Sequence, residues 1–255
     1  MYSQLVSFLV SAYNEEDTII RGIRSILGQD YQNIQIVVIN DGSTDKTAMR
    51  LATLRDSRIT VVEKPNTGLA DSLNVGIRVC EGHLIARQDA DDTSVRSRIS
   101  KQVAAFERDP SLVLCGSWAS VVSPNGTMLF RPPVKDKTIK RMLQLDNQIV
   151  HSAATFKRST VIEVGGYPTI WPCEDYELWI RLGRLGKLAN IPEALVVRYM
   201  ANDHLMRRPF YKGLSMKHYY RARLKCQLLA LRAFGFHIRT VPYLLPTVFK
   251  CLATV

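Results

Sequence analysis

Three carboxylates crowd into four residues of Arg87-Gln88-Asp89-Ala90-Asp91-Asp92, directly after the run His83-Leu84-Ile85-Ala86. The run reads as a short buried strand, so the acids stand at a strand end. Ionising all three is costly unless a cation neutralises them. Hard oxygen ligands, with no His or Cys among them, suit Mg2+ or Mn2+ arriving with a phosphate-bearing substrate. Without a cation, the same acids would only cap a helix beginning near Ser94.

Other polar groups carry similar double readings. Asp41-Gly42-Ser43-Thr44-Asp45 either makes a turn and an N-cap or presents a carboxylate to a base or ribose, with Gly42 allowing close backbone approach. Asn66-Thr67-Gly68-Leu69 is a turn into a helix, and such an N-terminus also suits an anionic diphosphate. Glu174-Asp175 opens a helix, where acids answer the dipole or leave one carboxylate ionised as a general base. His151, before an apolar strand, is either a packed polar residue or part of a site.

Alternating elements must position these groups. Leu5–Val10, Ile34–Ile39, Ile59–Glu63 and Leu84–Gln88 read as strands, separated by helices at Glu16–Leu27, Asp45–Leu54 and Leu69–Val79. This pattern implies right-handed crossovers and a mostly parallel central sheet flanked by helices, an α/β fold with ligands beyond the carboxyl ends of the strands. The acidic motifs fall at those ends. Beyond a helix near Ser94–Arg108, a hairpin is expected from Val113–Val122 and Thr127–Phe130 around Ser123-Pro124-Asn125-Gly126. A helix near Lys137–Leu145, a strand His151–Phe156, a helix Glu174–Leu185 and a last strand Leu195–Tyr199 follow.

The chain has 255 residues, 46% apolar and 22% charged, which excludes wholesale disorder. Cys80, Cys115, Cys173, Cys226 and Cys251 form neither CxxC pairs nor a disulfide framework, and a reducing compartment fits them. Leu5–Val10 lacks a basic leader and is too short to span a bilayer, so a cytoplasmic protein is expected. The formal charge of +11 is uneven, because residues 204–255 hold ten Lys/Arg and no acid. Composition therefore divides the chain into a near-neutral body, 1–203, with halves at 1–108 and 109–203, and a basic segment, 204–255.

In their order, Ala12-Tyr13-Asn14-Glu15, Asp41-Gly42-Ser43-Thr44-Asp45, Asn66-Thr67-Gly68-Leu69, Ala86–Asp92, Gly165-Gly166-Tyr167 and Glu174-Asp175-Tyr176-Glu177-Leu178-Trp179 resemble the family 2 glycosyltransferases. The resemblance runs from about Val6 to Tyr199. It implies a GT-A, Rossmann-like fold and inverting transfer of a hexose-type sugar from a UDP-sugar to a glycan or lipid-linked hydroxyl, in cell-surface polysaccharide synthesis. By the same resemblance, Tyr13, Glu15, Asp41, Asn66, Gly68, Asp89 and Ala90 face the nucleotide sugar, and Asp91 binds Mn2+ or Mg2+. Asp175 is the general base, with Glu174, His151 and Trp179 on the acceptor side. Asn40 stands where an acid is commoner, and Arg198-Tyr199 reverses a frequent Tyr-Arg order.

Phe210–Phe236 places Leu214, Tyr220, Leu224, Leu228 and Leu231 near helical spacing among Lys212, Lys217, Arg221, Lys225 and Arg232. A basic amphipathic helix followed by the apolar Val241–Val255 suits the cytoplasmic face of an anionic membrane, or else a helix pair packed on the body. No nucleic-acid partner is expected, since Tyr219 and Tyr220 make no stacking platform. The alternatives to a transferase are a sugar-phosphate nucleotidyltransferase and a non-catalytic membrane- or nucleic-acid-binding protein.

Overall fold

The computed structural model describes residues 4–168, 172–200, 216–235 and 246–247. The apolar runs become β1 (Val6–Ala12), β2 (Ile34–Asp41), β3 (Ile59–Lys64) and β4 (Leu84–Asp89), all parallel. β1, β2 and β4 are buried almost throughout because both sheet faces are covered. Alternate residues of β1 feed two cores. Leu9 joins Ile39, Leu73, Ile85, Phe156 and Trp179 on one face, while Phe8 and Val10 join Ile19, Ile23, Ile36 and Ile99 on the other. The crossovers are α1 (Ile19–Leu27), α2 (Thr47–Leu51) and α3 (Leu69–Val79).

The strand order is β3-β2-β1-β4-β8-β6-β9-β5, with β7 paired to β6. Here β5 is Thr93–Ser94, β6 Leu112–Ser123, β7 Gly126–Phe130, β8 Thr155–Lys157 and β9 Lys187–Tyr199. The sheet is mostly parallel, as expected: β6 and β9 run with β1–β4, whereas β5, β7 and β8 at one side oppose their neighbours. The order reverses at β1, whose two neighbours are β2 and β4, and in open α/β sheets ligands bind beyond the strand ends at such a point.

Several boundaries depart from the sequence expectation. Ser94 opens no helix, because its amide binds the Ser25 hydroxyl at 3.0 Å and its hydroxyl binds Gln88 at 2.5 Å. The residue lies in β5, and α4 (Arg98–Arg108) starts later. His151 falls in a 3-10 turn, His151–Ala153, ahead of the short β8. β9 starts at Lys187, eight residues before the expected Leu195, and the Pro192 that argues against a strand sits where its pairing with β6 slips. The hairpin forms as expected, with Ser123 opposite Gly126. α5 (Asp136–Met142) and α7 (Glu174–Leu185) lie close to expectation, whereas α6 (Arg158–Glu163) has no counterpart in it.

Within the basic segment, α8 (Met216–Phe234) packs on α7, and its Ala222, Cys226 and Ala230 join the Leu9 core. Most of 204–255 lies outside the described residues, including Arg207, Arg208, Lys212, Leu214 and the Val241–Val255 stretch apart from 246–247. Among the described residues no helix is long and apolar enough to cross a membrane.

Candidate active site

The loops that follow β1 and β2 bond to each other beyond the strand ends. Asn14 takes a left-handed conformation, φ 54°, which Asn tolerates better than most residues. Its side-chain oxygen accepts the Thr44 N–H at 2.8 Å, and its own N–H donates to the Ser43 hydroxyl at 3.0 Å. The Glu15 N–H reaches the Thr47 hydroxyl at 2.8 Å, and the Thr18 hydroxyl donates to the Glu15 carboxylate. Tyr13 is left half-exposed at the rim. Asn40 donates to Glu63 at 2.6 Å and accepts the Ser43 hydroxyl at 2.5 Å, so it braces this loop.

Asp41, the last residue of β2, organises the next turn. Its carboxylate accepts Lys64 Nζ at 2.5 Å, the Thr67 N–H at 3.0 Å and the Gly68 N–H at 2.9 Å. Burial opposes its ionisation, but the hydrogen bonds from Lys64, Thr67 and Ser72 outweigh that and lower its pKa. Asn66 is exposed at the tip, and Gly68 has φ 95°. Gly42, at φ 68°, lies so close to this turn that a Cβ would sit 2.6 Å from the Asn66 nitrogen. Asp41 therefore acts through the backbone of the turn that carries Asn66 and Gly68.

The acidic motif ends β4, with Asp89 in register with Ser11 at the switch point. Asp89, Asp91 and Asp92 offer oxygens all within 4.8 Å of one another. Arg87 is fully buried beneath them and holds Asp89 at 2.6 Å. The Ser152 hydroxyl lies 2.5 Å from both Asp89 Oδ2 and Asp92 Oδ2. One hydroxyl has one proton to give, so the second short contact needs a proton from a carboxyl group. Asp92 is the group that keeps it: burial, then the charges of Asp89 and Asp91, raise its pKa to about 7. Asp89 is also buried, yet the Arg87 charge holds its pKa far below the usual carboxylate range. Behind the motif, Ala90 packs so closely on α1 that a Cβ on Gly22 would come within 2.7 Å of its carbonyl. Arg21 donates to the Asp91 carbonyl at 2.8 Å while stacking on Tyr199. Three crowded oxygen donors, one of them retaining a proton near neutrality, fit a divalent cation.

Glu174 and Asp175 begin α7. Asp175 accepts the Asn147 amide N–H at 2.8 Å and the Tyr176 N–H at 2.7 Å. Burial still raises its pKa to about 6, and burial with the adjacent Asp175 charge raises Glu174 to about 8. Asp175 is thus the member of the pair that ionises at neutral pH. His151 Nε2 lies 2.9 Å from the Tyr167 hydroxyl, and its ring packs between Tyr167 and Trp179. Burial, followed by the Arg87 charge, depresses its pKa to about 3, which leaves a neutral imidazole. Among the described residues, the Trp179 indole N–H, Glu174 Oε2 and two Arg87 nitrogens are buried with no partner.

The sequence-derived residues thus gather in two groups, one lining the loops after β1–β4 and one at the start of α7. Asn14, Lys64, Arg87, Asn147 and Ser152 were missed as site residues. Of these, Arg87 carried a signal, a cation inside an apolar run. Ser152 and Asn147 carried none, since their roles come from contacts across 60 and 28 residues.

An α/β sheet reversing at β1, an acidic cluster at the β4 end and a second acidic pair on α7 define the GT-A class of glycosyltransferases. The profile described as glycosyl transferase family 2 matches residues 7–165, and the chain belongs to that family. It is therefore a glycosyltransferase, which answers the nucleotidyltransferase and binding-protein alternatives. It is 35% identical over 210 residues to an uncharacterized glycosyltransferase of Haemophilus influenzae, covering 75% of this chain and 64% of that one. Identity to the amylovoran biosynthesis glycosyltransferase AmsE of Erwinia amylovora is 28%, over 97% of this chain and 94% of the relative. Identity to WfaP of Escherichia coli, a UDP-Glc:α-D-GlcNAc-diphosphoundecaprenol β-1,3-glucosyltransferase, is 31% over 70% of each chain. S. aureus TarS, solved with UDP-GlcNAc, superposes with a TM-score of 0.75 at 16% identity, covering 98% of this chain and 73% of that one. The mannosyltransferase PcManGT of Pyrobaculum calidifontis, solved with GDP-Man and Mn2+, gives 0.68 at 21% identity, over 99% and 71%.

The Asp41 arrangement makes a stability prediction. Asp41→Ala leaves the Lys64 ammonium with Asp71, 3.3 Å away, as its carboxylate partner, but it frees the Thr67 and Gly68 amides, so it should cost about 1–3 kcal/mol, read by urea unfolding at pH 7. Because the folded pKa of Asp41 is lowered, its stabilisation is present above the unfolded value near 3.8 and is lost as pH falls through the folded value. The gap between wild type and Asp41→Ala should therefore shrink below pH 4. A gap that stays constant down to pH 2 contradicts the assignment.

Proposed function

We propose that the protein transfers a hexose-type sugar, with inversion, from a UDP-sugar to a hydroxyl of a glycan or lipid-linked acceptor in the synthesis of a cell-surface polysaccharide. The observation that carries this reading is the Asp175 carboxylate. It is fixed by two hydrogen bonds on the first turn of α7, has its pKa raised to about 6, and lies within electrostatic reach of Asp89. AmsE, WfaP and the UDP-GlcNAc complex of TarS supply the polysaccharide, lipid-linked and UDP elements of the reading.

In this mechanism Tyr13, Glu15 and the turn held by Asp41, with Asn66 and Gly68, receive the uracil and ribose. Asp89 and the Ala90 backbone border the ribose and diphosphate. Asp91, with Asp89 and Asp92 beside it, would hold Mn2+ or Mg2+. The bound cation supplies charge neutralisation for the departing diphosphate. Asp175 accepts the proton of the acceptor hydroxyl as the hydroxyl oxygen forms its bond to the anomeric carbon. The bond from that carbon to the diphosphate oxygen breaks on the opposite face, UDP leaves with the electron pair, and the configuration inverts. Glu174, protonated at neutral pH, has a hydrogen to donate to the acceptor. His151 and Trp179 shape the acceptor side, His151 as a neutral ring.

The described part of the basic segment supports a membrane-facing role on the cytoplasmic side. Arg221, Lys225 and Arg232 of α8, with Leu224, Leu228 and Leu229, line a groove of about 510 Å³ that Glu177 of α7, 3.8 Å from Lys225, also borders. Exposed leucine among cations suits an anionic lipid surface. Sedimentation with phosphatidylglycerol vesicles but not phosphatidylcholine vesicles, weakened by salt, is expected, and equal binding to both contradicts it.

The base assignment is tested with a panel of UDP-sugars and polyprenyl-diphosphate-linked acceptors. A base must be deprotonated to act, so kcat should fall as pH drops through about 6. Asp175→Asn should lower kcat by about 10²–10⁴-fold while leaving UDP affinity intact. Activity within tenfold of wild type, with the acid limb retained, would mean that another group is the base.

A further inference from the structure

α8 lies beyond residues 7–165, which the family profile covers, and its inner face touches the turn that holds Asp175. That face is otherwise apolar, with Ala222, Cys226 and Ala230 in the core, yet it includes the fully buried amide Gln227. A buried amide is costly unless it is bonded, so its partner is informative. Gln227 Nε2 donates to the Leu145 carbonyl at 2.7 Å. The neighbouring Arg223 guanidinium donates to the same carbonyl at 3.2 Å and to the Asp146 carboxylate at 3.1 Å. Asp146 in turn accepts the Asn147 N–H at 2.9 Å. The Asn147 side chain is oriented at both ends: its oxygen accepts the Ile149 N–H at 3.1 Å, and its nitrogen donates to Asp175 Oδ2 at 2.8 Å.

We propose that Arg223 and Gln227 are positioning residues for the base: they clamp the turn at 145–147, from which the Asn147 amide fixes the Asp175 carboxylate. The proposal rests on the assignment of Asp175 as base. Two donors on one carbonyl leave the turn little freedom, and a displaced turn withdraws the only side-chain donor that the described residues give Asp175. The Asn147 bond favours the ionised carboxylate, whereas burial and Asp89 oppose it. Glu174 and Cys173 on or beside α7 and Tyr167 ahead of it are the other titratable groups that feel Asp175. Loosening the clamp therefore raises the Asp175 pKa and moves the acid limb of the rate profile to higher pH.

The test compares full-length wild type, Gln227→Leu, Arg223→Gln and Asn147→Leu, each first checked for wild-type UDP affinity. Arg223 is partly exposed, so Arg223→Gln keeps the test available where Gln227→Leu does not fold. Each α8 variant should lower kcat about 3–10-fold, with donor KM unchanged, and shift the acid limb upward by roughly half a unit. In an Asn147→Leu background the same substitutions should leave the limb where Asn147→Leu alone puts it. A loss of kcat with no movement of the limb overturns the proposal, as does an equal shift when Asn147 is absent. A limb that persists in Asp175→Asn overturns the base assignment instead, so the two failures are distinguishable.

Discussion

The arrangement depends on keeping three carboxylates together at the end of β4. They repel one another, and even as folded Asp92 keeps its proton near neutrality. One buried guanidinium, Arg87, makes the cluster tenable, and a second, Arg98, lies behind it. Arg87 pairs with Asp89. Arg98, on α4, donates to the Ser94 hydroxyl at 2.9 Å, to Gln102 at 3.2 Å and to the Arg87 carbonyl at 2.8 Å. Burial, then the Arg87 charge, lowers the Arg98 pKa to about 9, which shows what the position costs a cation. Arg87 and Asp89 need each other: without Asp89 the guanidinium would be an isolated buried charge, and without Arg87 burial would oppose ionisation of Asp89. Gln88 adds a rigid floor, donating to the Gly22 and Asp92 carbonyls at 3.2 Å each.

That dependence explains which features were legible in the sequence. The strands β1–β4 are runs of buried aliphatic residues at short spacing, and their alternation with helices implies parallel pairing, whereas their order came only from the structure. The acids at their ends are local in sequence, so Asp41, Asp89, Asp91 and the Glu174-Asp175 pair stand out without coordinates. What escaped was long-range or negative information. Ser94 looks like a helix cap until β9 claims its backbone, and Pro192 hides the first half of β9 by arguing against a strand. The neutral state of His151 was likewise not legible, because it comes from burial against Tyr167 and Trp179 and from the Arg87 charge. Ser152 and Asn147 are ordinary polar residues that matter only because folding sets them against Asp92 and Asp175.

The compositional boundary at residue 204 is equally instructive. Charge alone divides a near-neutral body from a basic segment, yet packing across that boundary is continuous, since α8 buries Ala222, Cys226 and Ala230 in the core that contains Trp179. A basic outer face and an apolar inner face are what amphipathicity demands of a helix that meets both solvent and protein. The inner face of α8 also bonds to the Leu145 carbonyl in the turn beside Asp175.

A cation-dependent nucleotide site at the β4 acids would be seen in calorimetric titration with UDP. UDP should bind wild type in the presence of Mn2+ and bind weakly or not at all without it. Asp91→Ala, with its fold confirmed by circular dichroism, should lose the Mn2+-dependent part. UDP binding that is equally tight with and without Mn2+, or unchanged in Asp91→Ala, would contradict the account.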